Sequence, residues 1–231
     1  MLLSSLQPVC SKISFFIEQK PVFKVIVKPK RIRVKQIKLT TDMKTATQNL
    51  ENDHVSILRL TQVMENMVLK STTNMDHIEL VVSLIKNYAD GFHHAKEERF
   101  LFPLMVEKGF SNELGPVSVM LHDHAEGRNF VKRITAEIEK SKAGNTSVLP
   151  EIYRNMQGYI DLLKAHIGKE NNVLFRMADK AFSACEQEDL LAEFSLIETR
   201  EFGKEKIEQY IDDIVGLEII YNDSPGIVNN E

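Results

Sequence analysis

Two related stretches decide how this sequence folds. The first reads HHAKEERFLF over residues 93–102, and the second reads HIGKENNVLF over residues 166–175. Aligned, both follow the pattern His-x-x-Lys-Glu-x-x-x-Leu-Phe, in which a histidine precedes a glutamate by four residues, as His93 precedes Glu97. Residues four apart lie on one face of a helix. Each stretch therefore offers an imidazole and a carboxylate to the same site.

Apolar residues recur with helical period around both stretches and predict four long helices. We expect these helices over residues 45–70, 74–108, 116–143 and 150–182, separated by turns rich in Gly, Ser, Thr and Asn. Short connections between helices favour antiparallel neighbours. The sequence therefore predicts an all-α fold, an antiparallel up-down-up-down four-helix bundle with a metal site in its core and extra C-terminal helices.

Inward-facing polar residues follow the same order in both halves of the predicted bundle. Each helical pair contributes a lone histidine and then a His-x-x-x-Glu unit, so four imidazoles and two carboxylates meet at one level of the core. Two carboxylates buried without a cation would each cost several kcal/mol, whereas the lysines of the repeat are one residue away and point elsewhere. We therefore interpret the pattern as a metal site with the ligands His54, His93, Glu97, His124, His166 and Glu170.

The remaining histidines are predicted to lie outside this site. Consecutive residues on a helix are rotated by about 100°, so His94 and His122 are expected on solvated faces when their neighbours point inward. Glu98 is also expected at the surface, where it can support a ligand from outside. His77 lies about 24 Å from the site along its helix and cannot reach it.

Composition and charge bound the class of protein. Two cysteines among 231 residues exclude a disulfide framework and a thiolate zinc site and favour a cytoplasmic location. No apolar run approaches the roughly 20 residues that span a bilayer, so no membrane partner is expected. Residues 1–42 carry nine Lys and Arg against two acidic residues, a charge of +7, which leaves −11 for the rest of a chain with total charge −4.

This asymmetry predicts three parts. A basic, acid-poor segment can be a targeting sequence or a nucleic-acid arm, but we interpret residues 1–42 as an extension without a defined fold and expect no nucleic-acid partner. Residues 43–185 are predicted to form the four-helix bundle. Residues 186–231 are predicted to be a C-terminal helical extension and tail.

The motifs around the predicted ligands resemble the hemerythrin-like (HHE cation-binding) domain. The resemblance runs from about Met43 to Phe182 and rests on Asn52-Asp53-His54, residues 93–98 with Leu101-Phe102-Pro103, residues 115–120, residues 123–127 and residues 166–175. It implies that the four histidines are terminal ligands of two non-heme iron ions, joined by an oxo or hydroxo bridge, and that both glutamates bridge these ions. The same pieces also resemble di-iron proteins of iron–sulfur cluster repair.

Two departures from these relatives bear on function. Oxygen-carrying hemerythrins have a fifth histidine four residues after the position of His124, where this chain has Arg128, whose guanidinium cannot ligate iron. Cluster-repair proteins carry an additional amino-terminal cysteine domain, and nothing before Met43 resembles it.

Two classes of function stay open at this point. Six protein side chains leave open positions on two six-coordinate ions, so the chain can be a protein that binds or senses O2, NO or peroxide, or that handles iron. Alternatively, it is a redox enzyme that reduces NO or peroxide, or an iron donor for cluster repair, with a redox partner that the sequence does not identify. A structural zinc or manganese site is a third interpretation, because imidazole and carboxylate suit several metals.

Overall fold

Helices account for nearly all of the chain that the computed structural model describes. The structure describes residues 45–222, so the predictions for residues 1–42 and for the tail beyond Asn222 lie outside the described residues. Within 45–222 every regular element is a helix and no strand occurs. The predicted all-α class is therefore confirmed.

Six helices follow one another over residues 45–222. They are α1 (Ala46–Leu69), α2 (residues 75–107), α3 (Pro116–Lys142), α4 (residues 149–181), α5 (residues 184–202) and α6 (Lys204–Asn222). Three of them contain π-helical segments, which span Ile85–His94 and Glu97–Leu101 in α2, Glu170–Leu174 in α4 and Ile197–Phe202 in α5. The first four helices begin and end within a few residues of the predicted ones.

Local sequence explains where the long helices begin and end. Thr45 and Asn74 cap α1 and α2, since each side chain accepts a hydrogen bond from the backbone N–H three residues later. Pro116 occupies the first turn of α3, where its missing N–H costs nothing. Gly109 and Gly144 follow α2 and α3 with φ angles of 94° and 97°, which glycine adopts without strain.

The buried apolar side chains form two clusters, and the predicted ligands lie between them along each long helix. On α1, Leu50 belongs to the smaller cluster and Ile57 to the larger one, with His54 between them. On α2, Phe92 belongs to the larger cluster and Leu101 to the smaller one. The polar level therefore lies between two apolar clusters, one on each side of it along the helices.

The C-terminal helices pack onto the same core. Tyr210, Ile214 and Leu217 of α6 join the larger cluster, and Phe194 of α5 joins the smaller one. The described residues all fall in one compact unit, so α5 and α6 complete the core that α1–α4 build. Over the described range, none of the helices is long and apolar enough to cross a membrane.

Candidate metal centre

The four predicted histidines form two pairs whose Nε2 atoms face each other. In the first pair, His54 of α1 and His93 of α2 bring these atoms to 3.0 Å. In the second pair, His124 of α3 and His166 of α4 bring them to 3.2 Å. Two nitrogens at about 2.1 Å from one ion lie roughly 3 Å apart when the angle between them is near a right angle. Each pair therefore has the spacing of two ligands on one metal ion.

Glu97 and Glu170 lie between the two pairs. One oxygen of Glu97 is 3.8 Å from an Nε2 atom of the first pair and 3.4 Å from an Nε2 atom of the second. The oxygens of Glu170 lie 3.3 Å from an Nε2 atom of the first pair and 3.1 Å from one of the second. Each carboxylate reaches one histidine of each pair, which is the position of a group that bridges two ions.

Both glutamates are completely buried. Each is 0% exposed, and none of the four carboxylate oxygens has a hydrogen-bond partner among the described residues. Burial and the neighbouring Glu170 raise the pKa of Glu97 well above its usual range, because two carboxylates cannot both ionise there without a cation. A positive ion between them removes this cost, so the residues present fit a metal site.

The imidazoles differ in the direction in which the protein shifts their pKa values. Burial lowers the pKa of His93 to about 4, and burial together with His124 holds the pKa of His94 well below its usual value. Burial also disfavours the charged form of His166, but the attraction of Glu170 outweighs it and raises the pKa of His166. Because an imidazole must be neutral to bind a metal ion, His93 and His94 need lose no proton near pH 7.

Two aspartates hold the second ring nitrogen of a histidine in each pair. Nδ1 of His93 lies 3.2 Å from Asp53, and Nδ1 of His166 lies 3.3 Å from Asp123. A carboxylate on Nδ1 fixes the ring and leaves Nε2 for the metal, as in many metal sites of proteins. The sequence analysis assigned these aspartates no role, although each precedes the lone histidine of its half.

The lysines of the repeat bind these same aspartates. Nζ of Lys96 lies 3.0 Å from Asp53, and Lys169 bonds to Asp123 in the same way. Burial raises the pKa of Asp53, but the attraction of Lys96 and His93 outweighs it and holds that pKa below its usual value. Neither lysine bonds to Glu97 or Glu170, as predicted. The spacing of Asp-His followed by His-x-x-Lys-Glu was the signal in the sequence for the role of the lysines.

The lone histidines are held by the residue that follows each glutamate. Nδ1 of His54 lies 2.8 Å from Oδ1 of Asn171, and Nδ1 of His124 lies 2.7 Å from Oε1 of Glu98. Glu98 was predicted at the surface with a supporting role, and the structure finds it half-buried against His124. At the position after the glutamate, an amide therefore holds the histidine of the first pair and a carboxylate holds the histidine of the second pair.

The prediction that His94 faces solvent is wrong. Only 7% of His94 is exposed, and its ring stacks on His124 with centroids 3.8 Å apart. The prediction assumed a constant rotation of about 100° per residue, but Ile85–His94 is π-helical. Hydrogen bonds that join residues five apart wind the helix less per residue, so His93 and His94 both reach the inner side. His122 is exposed, as predicted.

The structure brings all six predicted residues to one level and adds a seventh. One group of buried ligand atoms comes from His54, His93, Glu97 and Glu170, and a second comes from His94, Glu97, His124 and His166. Within each group these atoms lie within 4.8 Å of one another. That the six residues bind metal stays a prediction. His77 was predicted to be out of reach, and it bonds instead to the hydroxyl of Tyr221 on α6.

A cavity of about 490 Å³ lies beside the second pair. His94 and His124 form its wall toward the metal centre, and Val131 is among its apolar lining residues. Asp90 and Arg128, which are bonded to each other, form another part of the wall. The space is large enough for a small molecule to reach the imidazoles of the second pair.

The helical fold and this arrangement of side chains are those of a helical protein with a candidate metal site. Comparison with protein families identifies which kind of protein it is. Residues 45–178 match the hemerythrin HHE cation binding domain. The match covers more than half of the chain, and the chain belongs to this family. The resemblance found in the sequence motifs is thereby confirmed.

Curated relatives share part of their length with this chain. An uncharacterized protein of Mycobacterium tuberculosis (strain ATCC 25618 / H37Rv) and one of Mycobacterium bovis are each 24% identical over 135 residues, 58% of this chain and 52% of theirs. The iron-sulfur cluster repair protein YtfE of Escherichia coli O1:K1 / APEC is 36% identical over 93 residues, 37% of this chain and 40% of YtfE. The chain thus spans about half the length or less of these relatives. No solved structure matches it.

Proposed function

We propose that this chain is a non-heme di-iron protein. The first pair would hold one iron, the second pair the other, and Glu97 and Glu170 would bridge them. One observation carries this proposal. Four buried carboxylate oxygens without hydrogen-bond partners lie between two histidine pairs, and the Nε2 atoms within each pair are 3.0 and 3.2 Å apart. Iron is favoured over structural zinc because carboxylate-bridged pairs between helices are typical of di-iron sites, whereas structural zinc favours four ligands rich in thiolate.

The predicted antiparallel arrangement of α1–α4 belongs to this proposal. Along α1 the chain passes from the smaller cluster to the larger, and along α2 it passes from the larger to the smaller. The same alternation recurs in the second half. Along α3 the chain passes from Met120 in the smaller cluster to Val131 in the larger one, and along α4 it passes from Ile167 in the larger cluster to Leu174 in the smaller one. Opposite directions in successive helices support an up-down-up-down bundle with the metal level near its middle.

We propose further that the centre binds O2, NO or peroxide, or handles iron, in the cytoplasm. Bound iron supplies Lewis acidity and one-electron redox chemistry toward such ligands. The chain's own contribution is to hold four imidazoles and two carboxylates together at one buried level and to leave open positions on both ions. The cavity beside the second pair supports access for a small ligand.

Metal loading tests the di-iron proposal. The chain is loaded with Fe²⁺ under anaerobic conditions and then oxidised. It should retain close to two iron ions per chain and develop the near-ultraviolet absorption bands of a bridged ferric pair. Stepwise addition of NO to the reduced protein should then change the spectrum in proportion to the iron present. A single tightly held zinc, with no uptake of iron, would contradict the proposal.

A second candidate function is redox catalysis or iron donation in iron–sulfur cluster repair. It is favoured by the 36% identity to YtfE, an iron-sulfur cluster repair protein, over 93 residues. Sustained consumption of NO or peroxide with an electron donor would indicate catalysis, whereas a single stoichiometric change would indicate binding. Restoration of a peroxide-damaged iron–sulfur protein by the iron-loaded chain, with metal-free chain as the control, would indicate repair.

A further inference from the structure

We propose that His94 is a seventh protein ligand, which binds the ion held by His124 and His166. This inference rests on the di-iron function proposed above and adds a ligand to it. The histidine was expected on a solvated face, so no feature of the repeat pointed to it. The contacts of its imidazole in the folded chain carry the argument.

The first observation concerns the position of the His94 ring. A ring nitrogen of His94 lies within 4.8 Å of ligand atoms from Glu97, His124 and His166. The rings of His94 and His124 are nearly parallel, with 14° between their planes and 3.8 Å between their centroids. Only 7% of His94 is exposed, and the residue also lines the cavity beside the second pair.

The hydrogen bond of His94 matches those of the other ligand histidines. Its Nδ1 atom lies 3.2 Å from Asp90, just as Nδ1 of the other four imidazoles is held by Asp53, Asn171, Glu98 or Asp123. No hydrogen bond of its Nε2 atom is found within residues 45–222. When an acceptor holds the Nδ1 atom of a histidine, Nε2 is the nitrogen that can bind a metal ion. His94 is held by Asp90 in this way.

Arg128 connects His94 to the second pair. Its guanidinium donates to Asp90 at 2.7 and 3.0 Å and to Glu98 at 2.6 Å. These two carboxylates are the ones that hold Nδ1 of His94 and Nδ1 of His124. Arg128 is therefore a positioning residue: it cannot bind the metal, but it fixes both acceptors that orient neighbouring imidazoles.

The other half of the molecule has no such arrangement. In the alignment of the two halves, His94 corresponds to Ile167, Asp90 to Leu163 and Arg128 to Leu58. The additional imidazole, its acceptor and the guanidinium are all replaced by aliphatic side chains. The inference therefore gives the two ions unequal ligand sets, three imidazoles at the second pair and two at the first.

Cobalt provides a direct test, because the visible absorption of Co²⁺ responds to the number and type of its ligands. The full chain is titrated with Co²⁺ as wild type, as His94→Ala and as His122→Ala, an exposed histidine that serves as the matched control. We expect His94→Ala to weaken one of the two binding steps by at least about 10-fold and to change the visible spectrum. His122→Ala should match the wild type in both respects.

Free imidazole extends the test, because the shortened side chain lies against the cavity. Added imidazole should restore the wild-type spectrum of His94→Ala and leave that of His122→Ala unchanged. Should His94→Ala lose helical content, His94→Gln, which keeps most of the side-chain volume, is measured in its place. Two Co²⁺ bound with wild-type affinity and spectrum in the folded His94 variant would overturn the inference while leaving the di-iron proposal intact. Failure of the wild-type chain itself to take up two ions would overturn that proposal.

Discussion

The two halves of the candidate metal centre share one plan and differ in what surrounds it. In the first half, Asp53 holds a predicted ligand histidine and a lysine of the repeat, and in the second half Asp123 does the same. Each half also sends one glutamate between the two histidine pairs. What is repeated is the set of groups that orient ligands and balance charge, as expected if both halves must each hold an ion.

The surroundings of the two pairs are not repeated. Beside the second pair lie His94, Asp90, Arg128 and a cavity, whereas aliphatic residues occupy the matching positions beside the first pair. Glu98, which holds a histidine of the second pair, is replaced by Asn171 at the first. The comparison indicates that the six predicted ligands are arranged symmetrically, whereas the cavity, the charged pair and the additional imidazole of His94 lie at the second pair only.

The largest expected effect distinguishes the two lysines of the repeat. Lys96 is completely buried against Asp53 and Glu198, whereas the side chain of Lys169 is 41% exposed. Replacing Lys96 by Met leaves buried charge unpaired, so we expect a loss of about 3–5 kcal/mol in the free energy of unfolding. Lys169→Met should cost no more than about 1 kcal/mol. Urea unfolding measures both, and equal losses would show that the two halves are energetically equivalent.

A smaller effect, and one of opposite sign, is expected for Glu97→Gln in the metal-free chain. The folded-state pKa of Glu97 lies above its unfolded value, so ionisation favours the unfolded chain once pH rises above about 4.5. Glutamine removes this cost, and we expect up to about 3 kcal/mol of added stability at pH 7, since linkage contributes about 1.4 kcal/mol for each pH unit above the unfolded pKa. The gain should vanish near pH 4, where folded and unfolded chains both keep most of the proton.

The Glu97→Gln variant should also bind less iron than the wild type, because it lacks one bridging group and half of the carboxylate charge that would face the ions. Iron per chain and urea unfolding of the metal-free protein, measured on Glu97→Gln and Glu170→Gln, test whether the two bridges are equivalent. A Glu97→Gln protein that is less stable without metal and keeps two irons would contradict the assignment of Glu97 as a bridge.

The smallest effect is expected from making the two halves more alike. Glu98→Gln gives His124 an amide acceptor like the one that Asn171 gives His54. We expect metal affinity at the second pair to fall by up to about 10-fold, at the low end for groups that orient ligands, with little change at the first pair. Stepwise Co²⁺ titration measures both steps, and an equal fall in the two would show that Glu98 does not act on one pair selectively.

Much of the site was predictable because its signals are local. Helical period placed α1–α4, and the four-residue spacing of His93 with Glu97 put both groups on one face. Such inferences need only the geometry of a regular helix, and the six residues they selected do meet at one level. The roles of Asp53 and Asp123 were also present in the sequence as a repeated Asp-His pair, but only their contacts reveal them.

The sequence by itself determined the helical class, the two-fold repeat and which six polar residues face inward, because periodicity, repetition and four-residue spacing can all be read along the chain. Tertiary structure alone decided that His94 turns inward, since a π-helical segment changes the rotation per residue that the prediction assumed. It also decided that Lys96 reaches Glu198, which is 102 residues away along the chain. Contacts of this kind depend on how α5 packs against α2, and no spacing within either helix encodes them.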